Sequence, residues 1–206
     1  MMIRHEFEQY TEEWWKGRLG RPSASQAKRL ITSTGAASKS MDAYALELAN
    51  NRFADTTVDQ WTGNQYTDRG TELEPDARAD YEMTNQVEVV EVGMFTDDLM
   101  RWLASPDGVV GDDGLLEIKC MTGANHTKAL LYHAKHKKTP TDYIAQLQMQ
   151  MFISEREWAD LFLYHPDLPN LTIRNYPDKK FIETLKSQLT ACDVERDRVL
   201  SILESM

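Results

Sequence analysis

Apolar residues fall along this chain in two rhythms. Phe7, Tyr10, Trp14 and Trp15 mark an i, i+3, i+7, i+8 face and predict a helix over residues 5–17. Gly17-Arg18-Leu19-Gly20-Arg21-Pro22 breaks it. Ser23, with Gln26 three residues on, reads as the N-cap of a short helix reaching about Ile31. Residues 32–40 are small and polar, hence a loop. Asp42 reads as the cap of a helix to about residue 54 that carries Tyr44, Leu46, Leu48 and Phe53. A polar connection over 56–67 holds Trp61 and Tyr66, and a further helix is predicted over 69–83.

The second rhythm is alternation, the signature of strands. Valine-rich 87–96 reads as the first clear strand, followed by a turn at Asp97-Asp98 and a strand over 100–104. Val109-Val110, the turn Gly111-Asp112-Asp113-Gly114 and Leu115-Leu116 read as a hairpin. Residues 127–138 are polar. Pro140 and Thr141 open a helix to about Phe152, residues 159–164 and 171–176 read as strands, and Asp178 caps a long final helix. Helices first, strands in the middle and a mixture after them indicate an α/β chain, a central mixed and mostly antiparallel sheet flanked by helices. The length of 206 residues suits one domain, 1–206.

The hairpin carries the candidate chemistry. Period two places Glu117 and Lys119 on one face of their strand and Ile118 on the other. The turn brings Asp107 back beside Glu117. Two carboxylates and a main-chain carbonyl make a hard-oxygen site for Mg²⁺. A lysine next to it can orient or deprotonate a metal-bound water, or stabilise a charged transition state. Taken alone, Glu-x-Lys also describes an ordinary solvent-facing strand, and Asp107 a turn former.

Composition adds limits. No run of eighteen apolar residues occurs, so no membrane-spanning helix is expected. The first residues lack the apolar segment of a signal peptide. Cys120 and Cys192 are the two cysteines, too few for a disulfide scaffold or a zinc site, so a reducing cytoplasm is expected. The formal net charge of −10 argues against loose coating of nucleic acid, although the potential that matters is local. Residues 126–138 run against the total: Lys128, Lys135, Lys137 and Lys138 with His126, His133 and His136, and no acid. Such a run is commonly just a solvated face.

Several motifs come in one order: Gly17-Arg18-Leu19-Gly20 with Ser23-Ala24-Ser25, Arg69-Gly70 with Glu74-Pro75-Asp76-Ala77-Arg78, Ser105-Pro106-Asp107-Gly108, Glu117-Ile118-Lys119-Cys120 and Ala145-Gln146-Leu147-Gln148-Met149-Gln150. In that order the chain resembles the lambda-exonuclease-like (YqaJ-type) phage recombination nucleases of the PD-(D/E)XK superfamily. The resemblance implies a restriction-endonuclease-like core. It implies a Mg²⁺-dependent 5′-to-3′ exonuclease on linear double-stranded DNA, with Mn²⁺ as a substitute ion, releasing mononucleotides and leaving a 3′ overhang for strand annealing. By it Asp107, Glu117 and the Ile118 carbonyl hold the metal, Glu74 assists from a helix, Lys119 is the catalytic lysine and Gln146 orients the water or a metal-bound group. Arg18 and Ser25 match holders of the DNA 5′-phosphate, with Lys39 a candidate for a further basic partner. Tyr66 is the bulky residue nearest the place expected for a strand-separating wedge. The resemblance also implies DNA ends and a single-strand-annealing protein as partners, a homotrimeric ring, and residence in the cytoplasm of a bacterial host, as for a phage or prophage product. A PD-(D/E)XK endonuclease, or a non-catalytic DNA-binding module of the same fold, are the alternatives.

Overall fold

The computed structural model describes residues 2–57 and 65–206, the side chains of 65–69 and 71 excepted. Much of the expected connection around Trp61, and the side chain of Tyr66, thus lie outside the described residues.

Two sheets share the molecule. The larger is built from β2 (Val89–Val90), β5 (Gly108–Val110), β6 (Gly114–Cys120), β7 (Trp158–Tyr164) and β8 (Leu171–Asn175), in that order. Its neighbours run antiparallel except β6 and β7, which are parallel. The smaller sheet orders β1 (Met2–His5), β3 (Met94–Asp97) and β4 (Leu103–Ala104), all antiparallel. The expected mixed, mostly antiparallel sheet flanked by helices is therefore present.

Among the described residues six α-helices flank the sheets: α1 (Glu12–Arg18), α2 (Met41–Ala54), α3 (Gln65–Asn85), α4 (Gly123–His136), α5 (Thr141–Ser154) and α6 (Lys179–Glu204), with a 3₁₀ helix over Ala24–Arg29. α5 is the central one. Ala145, Leu147, Gln148, Met149, Gln150, Met151, Ile153 and Ser154 are all buried, so burial runs around most of its circumference. It packs on both sheets, on the 3₁₀ helix and on α6. The two faces of β6 divide by period two. Leu116 and Ile118 pack with Ala77 and Tyr81 of α3, whereas Leu115 belongs to the main core with α5.

Some local expectations give way. The helix expected over 5–17 is shorter: β1 ends at His5, residues 6–11 are turns and irregular chain, and the helix begins at Glu12. Thr11 is the cap, its Oγ1 accepting from the Trp14 amide, and Trp15 stays 54% exposed while Trp14 is buried. Ser23 precedes a 3₁₀ helix and makes no side-chain cap; its hydroxyl meets Ser25 Oγ instead. Ser40, not Asp42, occupies the cap position of α2. The strand expected over 87–96 is two strands in different sheets. They part at Gly93, where any Cβ would sit 2.2 Å from the Phe7 carbonyl oxygen. The lysine–histidine run forms α4, and His126 is not on its solvated face: it is fully buried, with Nε2 at 2.9 Å from the Pro169 carbonyl.

α6 is anchored by a buried polar knot. Trp102 Nε1 donates to Asp193 Oδ2 at 2.7 Å, and Arg196 Nη1 pairs with Asp193 Oδ1 at 2.8 Å. Burial still pushes the Asp193 carboxyl upward, against the pull of Arg196 and Trp102. Replacing Trp102 by Phe leaves that buried oxygen one donor short and is expected to cost about 1–3 kcal/mol, read as a lower urea midpoint with unchanged slope. The neighbouring Cys192 thiol is fully buried and pushed up to about 12, chiefly by desolvation. Iodoacetamide is therefore expected to leave Cys192 unlabelled in the native protein and to label it on unfolding, as peptide mapping will show.

Candidate active site

β5 and β6 bring the opening motif together as the hairpin register dictates. Gly108 lies opposite Leu116, and the Asp107 amide donates to the Leu116 carbonyl at 3.0 Å. The carboxylate of Asp107 reaches across the pair, Oδ2 accepting from the Ile118 amide at 2.6 Å. Glu117 and Lys119 share a face, and Lys119 Nζ donates to Glu117 Oε1.

Glu117 is 2% exposed, a carboxylate set into a central strand. Its remaining donors come from α5. Gln146 Nε2 donates to Oε1 and Gln150 Nε2 to Oε2, each at 2.5 Å. Residues four apart on a helix share a face, so one turn of α5 meets both oxygens. Gln150 thus joins Gln146 at this carboxylate, and their i, i+4 spacing is the signal in the sequence that points to it. Gln148 points elsewhere, bonding Tyr176 and Asp178.

Glu74 comes from the interior of α3 rather than from a helix start. Its Oε1 accepts from Arg78 Nη2 at 2.9 Å, and Arg78 also pairs with Glu91. Glu74 and Asp107 line one cavity of about 400 Å³. Asp107 is pushed well above the usual carboxylate range, first by burial and then by the charges of Glu117 and Glu74. Glu74 is raised by burial, with Glu117 adding to the shift. Burial works against the charge on Lys119, but Glu117 and Asp107 outweigh it and its pKa is raised, so the lysine is held as a cation. Among the described residues no three Asp, Glu, His or Cys side chains form a ready-made metal cluster. The residues that could hold a hard cation there are Asp107, Glu117 and the Ile118 carbonyl, with Glu74 lining the same cavity as Asp107.

Arg18 and Ser25 lie side by side, Nη2 donating to Ser25 Oγ at 3.2 Å. Arg18 Nη1 donates to Ser105 Oγ at 3.2 Å, and its guanidinium lies 4.3 Å from the centre of the Trp14 ring. Ser105 stands two residues before Asp107, so the arginine is tied to the carboxylate site through one extended segment. Ser105 is not among the expected site residues; its position two before Asp107, on the same extended segment, is the signal in the sequence that points to it. No carboxylate among the described residues pairs with Arg18, and burial lowers its pKa. Lys39 is exposed, and nothing in the structure joins it to Arg18 or Ser25.

The sequence matches a YqaJ-like viral recombinase domain over residues 13–157. The structure is similar to an alkaline exonuclease (LHK-Exo) from Laribacter hongkongensis, with a TM-score of 0.82 and 34% identity over 95% of this chain and 97% of that one. The same exonuclease in complex with dAMP gives a TM-score of 0.81 at 35% identity, over the same shares of the two chains. A phage-related exonuclease from Haemophilus somnus 129PT shares the fold at 17% identity, with a TM-score of 0.70 over 89% of this chain and 96% of that one. None of the curated proteins compared with the sequence matches it. On the extent of the domain match, and on one-third identity along nearly the whole Laribacter exonuclease, the chain belongs to the YqaJ-like viral recombinase family.

Proposed function

We propose that the chain is a Mg²⁺-dependent exonuclease that digests linear double-stranded DNA from its 5′ ends. It releases mononucleotides and leaves a 3′ single strand for a strand-annealing protein to bind. Membership in a recombinase family and likeness to an alkaline exonuclease support the reaction class. The observation that supports action at an end is Arg18: a half-buried guanidinium bonded to two hydroxyls, stacked on an indole and with no carboxylate partner among the described residues. A planar cation in that setting suits bidentate contact with a terminal phosphate.

The residues suited to hold Mg²⁺, with Mn²⁺ as a substitute, are Asp107, Glu117 and the Ile118 carbonyl, assisted by Glu74. The fit rests on chemistry: hard oxygens, and clustered carboxylates whose mutual repulsion and burial already disfavour ionisation without a cation. When bound, the ion lowers the pKa of a water and neutralises phosphate charge. Lys119, kept cationic by Glu117 and Asp107, stabilises negative charge on the phosphate under attack. Gln146 holds Glu117 and offers its amide to the attacking water. Arg18, Ser25 and Ser105 hold the 5′-phosphate, so that cutting begins at an end; exposed Lys39 supplies longer-range attraction. A homotrimeric ring with its cations turned to the hole would let an acidic chain enclose DNA.

Incubation of linear and closed-circular duplexes with Mg²⁺, and with EDTA, tests the whole reading. Only the linear form with Mg²⁺ is expected to be degraded; cutting of closed circles would establish an endonuclease instead. Lys119→Ala is expected to reduce kcat by about 10²–10³-fold or more while duplex binding persists, by gel shift and product release. Arg18→Ala is expected to erase the preference for 5′-phosphorylated over 5′-hydroxyl ends, a loss of about tenfold or more in affinity for the phosphorylated end. Mg²⁺ at a hundredfold excess over its Kd is expected to stabilise the native protein by about 2.7 kcal/mol, seen as a higher Tm, and Glu117→Gln to abolish that increment.

A further inference from the structure

The cavity that joins Glu74 to Asp107 has an aromatic wall that the proposed reaction leaves without a task. Tyr10 lines it and is 55% exposed. Its backbone sits in the left-handed region with φ of 65°, a conformation a tyrosine adopts at a cost of about 1 kcal/mol or more. The neighbouring Gln9 fixes this segment against the active strand, donating to the carbonyls of Val92 and Pro106 at 2.9 Å each. Pro106 is the residue before Asp107. The Tyr10 ring packs against Trp14 with centroids 5.1 Å apart, and Trp14 is the same indole that carries Arg18 at 4.3 Å. One buried tryptophan thus fixes both the candidate phosphate anchor and an exposed aromatic face beside the carboxylates.

We propose that Tyr10 is a stacking platform for a nucleobase at the 5′ end of the digested strand. This rests on the exonuclease reading above and deepens it. Charge selects the part of a nucleotide that fits. Glu6, Glu8, Glu74, Glu91 and Asp107 line the same cavity with one cation, Arg78, itself paired with Glu74 and Glu91, so away from a bound divalent ion the wall favours an uncharged base over a phosphate. Arg18, stacked on the same Trp14 ring, takes the phosphate. Stacking on an aromatic ring tolerates every base, because each has a π face, and so suits an enzyme that must work through any sequence.

The test uses 5′-phosphorylated duplexes with 2-aminopurine as the 5′-terminal base and a dye at the far end. They are bound to the full chain carrying Lys119→Ala, with or without Tyr10→Ala, in Mg²⁺. Stacking is expected to quench the 2-aminopurine on binding. Tyr10→Ala is expected to remove the quench, and Tyr10→Phe and Tyr10→Trp to keep it. In chains that retain Lys119, Tyr10→Ala is expected to act chiefly on KM, raising it about 5- to 150-fold, the range set by the worth of one base–aromatic stack. An equal quench with and without the Tyr10 ring, or a KM unchanged in Tyr10→Ala, overturns the proposal while leaving digestion of linear DNA standing. Failure of the wild-type chain to degrade linear duplex overturns the parent reading, and this inference with it.

Discussion

A carboxylate buried in the middle of a sheet constrains more of this molecule than any other group. Glu117 sits in β6 with almost no exposed surface, and an unpaired charge there would cost several kcal/mol. Its oxygens are met by the Lys119 ammonium and by the amides of Gln146 and Gln150. The lysine comes free with period two, but the glutamines demand that one turn of α5 face β6 at hydrogen-bond distance. That in turn requires α5 to be locked in place, and it is: buried nearly all round, it packs against both sheets. The core is thus arranged so that a charge the core would reject can stay inside it.

The smaller sheet is organised around a second charge. Arg18 ends α1 without a carboxylate among the described residues. What holds it is the Trp14 ring and the hydroxyls of Ser25 and Ser105. Trp14 Nε1 donates to the Gly93 carbonyl and to Ser105 Oγ, both at 3.1 Å. A single indole therefore fastens the N-terminal segment to the point where the chain passes from one sheet to the other. Gly20, with φ of 66° and only 2.7 Å between its ideal Cβ and the Arg52 Cβ, supplies the turn that follows. The distance between the arginine and Asp107 is set by this packing, not by either residue's neighbours in sequence alone.

What could be read from sequence follows the same division between local and long-range causes. The hairpin, Asp107 beside Glu117, Lys119 on the Glu117 face and the Asp178 cap of α6 are decided within a dozen residues, and period and turn chemistry reveal them. The β1 strand, by contrast, has four residues and a partner about ninety positions away, so no local pattern announces it. The split of 87–96 depends on the close approach of Phe7 to Gly93, which only the assembled fold imposes. His126 looked like part of a solvated basic run because its neighbours are lysines; the carbonyl of Pro169, far along the chain, gives it a place inside. Spacing places Gln150 one turn from Gln146 and Ser105 two residues before Asp107, but which donor meets which oxygen is set only by the long-range packing of α5 on β6 and of α1 on the smaller sheet.

The acidity of the chain then takes on a different meaning. A phosphate responds to charges within about 8 Å at physiological salt, not to the total of −10. At the centre of the site the nearest groups are Asp107, Glu117 and Glu74, which repel it. Lys119 alone does not reverse that sign, because its charge is already shared with Glu117 and Asp107. Arg18 has no carboxylate partner among the described residues, and α4 carries lysines and histidines with no acid along its length. Under the proposed reaction, a DNA end would be drawn to these cations and kept from the carboxylates until divalent charge is added there. On this reading the metal governs admission of the scissile phosphate as well as its cleavage, and the negative total is a surface property that the site's own arrangement overrides.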